Sequence, residues 1–337
     1  MDHRLGLVIA ANTLSNLRMF RGEDTWRYDS GALAGPLAAV SRAQGLLLGR
    51  LADVGPALRN QACLAALTAD VVRSSEIDGE MLAGEAVQSS LARRLGLDGT
   101  APGPADRRVD GPVEMLLDAT TRAAEPLTVE RLQGWHGAPA APASTAELQR
   151  FIDWANAEGN DPPLVKASLA QLWFMTLHPF HHGNGRTARA VGDQFLARAD
   201  GSPQRFYSLS AQIQRERSDY YGILGRTQQG DGDVTPWLLW FLDALERALQ
   251  RAQAAADHVL AKSRFWQRWA STPMNERQVK LLNRLLDGFD GRISSSTWAR
   301  VAGCSPDTAL RDITELMAMG VLEKLPGGGR STGYRLV

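Results

Sequence analysis

The run Leu177-His178-Pro179-Phe180-His181-His182-Gly183-Asn184-Gly185-Arg186-Thr187-Ala188-Arg189 holds the residues best suited to chemistry on a polyphosphate. Its two glycines let backbone N–H groups approach closely and converge on an anion. A helix that starts just after them adds unpaired N–H groups and the positive end of its dipole. Arg186 and Arg189 lie three apart, on one face of that helix, and can fork onto phosphate oxygens. Asn184 is an amide donor, and His178 is a general base for work near neutral pH. On residue types alone two other readings stay open. Gly-Asn-Gly turns a chain between two helices without binding anything, and His178, His181 and His182 could form a zinc cluster, although their spacing is not that of a zincin helix.

Helical periodicity predicts the elements that must position this loop. An apolar helix over 163–177 leads into it and a second, 186–198, leads out. Before them, helices are predicted over 32–51, 57–72, 84–95, 109–124, 128–134 and 145–157. After them come 208–229 and 235–256. The Gly/Pro-rich stretch 99–106 reads as a linker and 137–145 as a plain spacer. The tail predicts three short helices (276–289, 295–302, 305–319) and two strands (321–325, 333–337) around a glycine turn at 326–330. That order is a winged helix-turn-helix pattern.

The loop matches His-x-Phe-x-(Asp/Glu)-Gly-Asn-Gly-Arg-x-x-Arg at every fixed position but one, and on that ground the chain resembles the Fic family. The likeness runs from about Trp26 to the C-terminus. Ser74-Ser75-Glu76-Ile77-Asp78-Gly79-Glu80 resembles the family's inhibitory helix, (Ser/Thr)-x-x-x-Glu-(Gly/Asn). The stretches 205–212 and Tyr220-Tyr221 resemble the region behind its nucleotide pocket. The expected fold is therefore mostly α: a Fic-fold helical core (106–256) with an N-terminal helical domain (21–105), a leader (1–20) and a C-terminal winged helix-turn-helix (257–337). This layout is similar to that of a bacterial subgroup.

The resemblance implies a protein adenylyltransferase that moves AMP from ATP to a hydroxyl of a target protein, or of itself. His178 would be the catalytic base. Phe180, Gly183, Asn184, Gly185, Arg186, Thr187, Arg189, Tyr221 and Gln228 would bind nucleotide, with Arg189 on the γ-phosphate. Ser74, Asp78 and Gly79 would be inhibitory: Asp78 pairs with Arg189 and pushes the γ-phosphate aside, more loosely than the usual Glu because it is one methylene shorter.

Two departures point to weakened or altered activity. His182 stands where the family has the acid that holds Mg²⁺, a hard cation that prefers oxygen. That leaves nucleotide binding without efficient transfer, use of softer Mn²⁺, or a protonated imidazole replacing lost positive charge. The spacer at 137–145 is also short for the family's target-clamping flap. The alternative function is a weak or inactive nucleotide-binding regulator acting through its winged helix. The base, the target and the nucleotide choice among ATP, GTP, UTP and others are not encoded legibly.

Composition sets the outer bounds. Acidic and basic residues balance at 37 each in 337, so whole-chain charge favours neither nucleic acid nor membrane. Two cysteines, Cys63 and Cys304, make no disulfide framework, and a reducing cytoplasm is expected. The leader is a poor secretion signal and no apolar run is long enough to span a membrane. In the tail, Asp307, Asp312 and Glu315 on the would-be recognition helix favour packing or homodimerisation over DNA contact through Arg311, Arg330 and Arg335.

Overall fold

The computed structural model describes residues 26–52, 54–97, 106–137, 145–287, 294–326 and 332–337. The leader, most of the linker at 99–106, the middle of the spacer at 137–145 and the tip of the tail hairpin with Arg330 lie outside the described residues. The chain divides into two compact units, Met1–Gln253 and Ala254–Val337.

In the first unit the N-terminal helices are α1 (Ser30–Ala52), α2 (Pro56–Ile77) and α3 (Gly84–Arg94). They are followed by α4 (Arg107–Thr121), α5 (Val129–His136), α6 (Thr145–Asn156), α7 (Pro163–Leu177), α8 (Asn184–Asp200), α9 (Leu209–Arg215) and α10 (Arg217–Gln228). Helix α11 (Thr235–Arg268) crosses the boundary between the units.

Helices α7 and α8 form the centre. Proline at the start of α7 suits a first turn, where the missing N–H is not needed. Most of α7 is buried, and so is nearly all of α8 from Thr187 to Ala197. The two approach closely because Gly192 has no side chain: a Cβ there would sit 2.5 Å from Gln171 Oε1 and 3.3 Å from Gln171 Cβ. Phe151 and Phe174 pack edge to face, ring centroids 5.5 Å apart, and Trp173 meets Trp26 at 5.9 Å. Burial of such rings is the main favourable term here.

The expected single helix over 208–229 is two helices, α9 and α10, which break at Glu216. Its backbone N–H returns to Gln212 and Ile213, and its carboxylate takes two hydrogen bonds from Arg247 on α11, both 2.8 Å. Helix α11 runs twelve residues past the expected end at 256, since no glycine or proline interrupts it before Arg268.

The second unit holds α12 (Glu276–Leu286), α13 (Ser295–Ala302) and α14 (Pro306–Ala318), then β1 (Leu322–Lys324) and β2 (Tyr334–Leu336). The strands pair antiparallel with Leu322 opposite Leu336, Glu323 opposite Arg335 and Lys324 opposite Tyr334. Its core gathers Leu281, Leu282, Trp298, Ile313, Leu316 and Val321. Asp312 corrects one expectation. It does not face outward from α14: it is 2% exposed and accepts hydrogen bonds from Arg277, Asn275 and Trp298. Its charge is matched inside the unit and does not face a ligand.

Candidate functional site

Helix α7 ends at His178, whose backbone is left-handed (φ 47°, ψ 54°). Among the described residues it is the only non-glycine with positive φ, a conformation that costs energy and tends to persist where function needs it. The turn that follows is closed by Asn184. Its Oδ1 accepts from Phe180 N at 2.9 Å, and its Nδ2 donates to Phe180 O at 2.6 Å while standing 3.2 and 3.3 Å from the two ring nitrogens of His178. Asn184 is buried, so it shapes the loop and orients the imidazole from behind. His178 keeps an exposed edge, and the protein crowding the rest of the ring pushes its pKa below the usual histidine value.

Helix α8 begins at Gly183 (φ 70°) with no side chain capping its first N–H groups. A helix start leaves such groups without intrahelical partners, which makes it a natural anion site. Thr187 donates its hydroxyl to Gly183 O at 3.0 Å, and Phe180 is buried 4.6 Å from the ring of His136. Sequence reasoning missed His136. It lies at the end of α5, donates Nε2–H to His182 O at 2.9 Å, and stacks on the His182 ring at 4.5 Å. The two residues together brace the outer lip of the loop.

The first two arginines of α8, Arg186 and Arg189, carry acid partners from the segment after α2. Arg189 is 2% exposed. It donates Nε to Ser74 Oγ (2.8 Å), Nη2 to Ser74 O (2.8 Å) and Nη2 to Asp78 Oδ2 (2.9 Å). Its Nη1 is buried without a partner. The shorter acid thus reaches Arg189, through one of the two terminal nitrogens. A Cβ on Gly185 would lie 2.7 Å from Asp78 Oδ1 and 3.2 Å from Arg189 Nη1. The carboxylate therefore sits over the first turn of α8, where an anion is favoured, and only glycine at 185 leaves room for it. Arg186 donates Nη1 to Glu80 Oε2 at 2.6 Å, a pairing the sequence reading did not include.

The remaining expected residues lie nearby in part. Tyr221 OH points to Ile77 O at 3.5 Å, so it borders the acid segment. Gln228 Nε2 donates to Thr176 Oγ1 at 3.2 Å, two residues before His178. Burial raises the phenol pKa of both Tyr220, to about 12, and Tyr221. The 205–212 stretch ties the elements together underneath: Arg205 pairs with Asp193 of α8 at 2.5 Å, and Asp70 of α2 accepts from Ser208 Oγ (2.5 Å) and Ser210 N (3.1 Å). Burial drives the Asp193 carboxyl well above the usual range. His181 and His182 are exposed, and among the described residues no three His, Cys, Asp or Glu side chains gather as metal ligands.

The family model described as Fic/DOC family matches residues 103–196. A second, described as a domain of unknown function, DUF4172, matches residues 24–97. The chain is similar to the protein adenylyltransferase Fic of Drosophila willistoni, 29% identical over 177 residues, which is 52% of this chain and 33% of that protein. The same-named protein of Drosophila melanogaster is 28% identical over 177 residues. The match thus spans about a third of the length of these curated relatives. Among solved structures, a Fic family protein from Desulfovibrio desulfuricans G20 has a TM-score of 0.53 at 18% identity, covering 94% of this chain and 98% of that one. Fic-1 from C. elegans has a TM-score of 0.50 at 20% identity, covering 75% and 77%. At these identities the structural likeness is one of fold.

Proposed function

Because the chain belongs to the Fic/DOC family, with a DUF4172 domain ahead of the Fic segment, we propose that it is a protein adenylyltransferase. It transfers AMP from ATP to a hydroxyl of a target protein or of itself, and it restrains its own activity through Asp78. The observation that carries this reading is a convergence. One imidazole with an exposed edge, one uncapped helix start and two acid-paired arginines lie within twelve residues of the chain. In the proposed step His178 takes the proton of the target hydroxyl. The freed oxygen bonds to the α-phosphorus, the bond from that phosphorus to the β-phosphate bridge breaks, and pyrophosphate leaves. Gly183, Gly185 and Arg186 hold the phosphates and Arg189 holds the last of them, so the chemistry is positioning plus charge stabilisation. Tyr221 and Gln228 lie on the side where the adenine would rest.

The donor set does not fit Mg²⁺. Position 182 offers an imidazole stacked on His136, and the nearby carboxylates, Asp78 and Glu80, are paired with arginines. A hard, octahedral cation wants oxygen ligands. No step above is routed through a metal, and turnover is expected to be slow for want of its charge. The same observation supports the second reading, a nucleotide-binding regulator with little transfer.

The tail is read as a winged helix-turn-helix. Leu310 and Met317 remain exposed, seven apart on α14, an apolar face that supports packing or dimerisation over DNA binding.

ATP labelled at the α-phosphate tests the reading. Label should appear on the protein itself or on a lysate protein, increase in Asp78→Gly and vanish in His178→Ala, while His178→Ala still binds ATP. Nucleotide binding without label in Asp78→Gly would leave only the regulator.

A further inference from the structure

We propose that Glu80 is a second inhibitory acid, which holds Arg186 as Asp78 holds Arg189, so that phosphates must displace two carboxylates and not one. The inference rests on the nucleotide reading above.

The geometry begins at the end of α2. Glu80 N donates to Ser75 O at 2.9 Å and Gly79 N donates to Glu76 O at 3.0 Å. With Gly79 at φ 87°, these are the two hydrogen bonds of a Schellman motif. The backbone of 78–80 is therefore fixed, and it sends Asp78 and Glu80 to the same end of α8. Asp78 meets Arg189 at 2.9 Å and Glu80 meets Arg186 at 2.6 Å.

An ordinary surface ion pair has little effect, and the Glu80 side chain is 50% exposed. Its partner, however, is only 21% exposed and stands at the helix start where the phosphates are expected. Glu80 competes there for a guanidinium that can serve one anion well, whatever the pair contributes to folding. The short reach of Asp78, which engages one nitrogen and leaves Arg189 Nη1 without a partner, makes a second acid the stronger half of the restraint for inner phosphates.

The test is calorimetric titration of ADP and ATP into the full chain and into Glu80→Gln, Asp78→Asn and the double variant, at low and high salt. Glu80→Gln should tighten ADP and ATP alike, by about three- to five-fold at low salt and less at high salt. Asp78→Asn should tighten ATP more than ADP, and the double variant should exceed both. Unchanged ADP affinity in Glu80→Gln, alongside tighter ATP in Asp78→Asn, overturns the role of Glu80 alone. No binding by any variant overturns the nucleotide reading together with it. Thermal melting checks folding, and a half-exposed acid changed to its amide leaves the core untouched.

Discussion

His178 joins three local facts: a left-handed backbone, an amide from Asn184 against its ring, and a pKa below the usual histidine value. The first two fix where the ring points. The third fixes its charge. An imidazole with a depressed pKa is neutral at pH 7 and ready to take a proton, and it loses that ability as pH falls through the depressed value. The transfer rate of Asp78→Asn, in which the clamp on Arg189 is released, should be flat near neutrality. It should decline only below the ordinary histidine value of about 6.5. A decline centred above about pH 7 would contradict this assignment of the base. The loop residues were legible because the motif is local: His178, Gly183, Gly185, Arg186 and Arg189 lie within twelve residues of one another. Asp78 was legible through a second local pattern. His136 was not. It is a single residue at the end of an eight-residue helix, and nothing in its neighbourhood shows that it folds back onto His182.

The α2 terminus shows how an element's end becomes part of a site. Gly79 is required there by backbone geometry, since a Cβ would meet nothing within 4 Å but the φ of 87° disfavours any other residue. Gly79→Ala should therefore lower the stability of the first unit by about 1–2 kcal/mol while loosening both acids. Melting temperature and nucleotide affinity should move in opposite senses: less stable, tighter binding. A variant that loses both would mean that the turn holds up the pocket and does not obstruct it. The Glu80–Arg186 pair shows why sequence reading stopped short here: its partners are 106 residues apart, and charge pairs at that range leave no periodic trace. The break at Glu216 was hidden for a similar reason, because its hydrogen bonds to Arg247 come from a later helix and no helix-breaking residue marks the spot.

At the scale of the molecule the two units have separate cores, and the order of helices and strands was largely readable from periodicity. The inward turn of Asp312 was not, because an acid on a helix normally reads as surface until its partners Arg277 and Asn275 are known. With Leu310 and Met317 exposed, light scattering on the full chain should report a dimer that Leu310→Glu/Met317→Glu converts to monomer, and a DNA duplex should bind no better at low salt than a control acidic polymer. A monomer with salt-sensitive DNA affinity would reverse the assignment of the tail. Among the described residues no helix is long and apolar enough to cross a membrane. The acids of the clamp lie in the DUF4172-matched segment and the arginines in the Fic-matched one. On the proposed function, inhibitor and inhibited surface are carried in one polypeptide at a fixed effective concentration. Raising or lowering the amount of protein would then leave the fraction of unrestrained molecules unchanged, and control would pass to whatever alters that one turn, or to a nucleotide that competes with it.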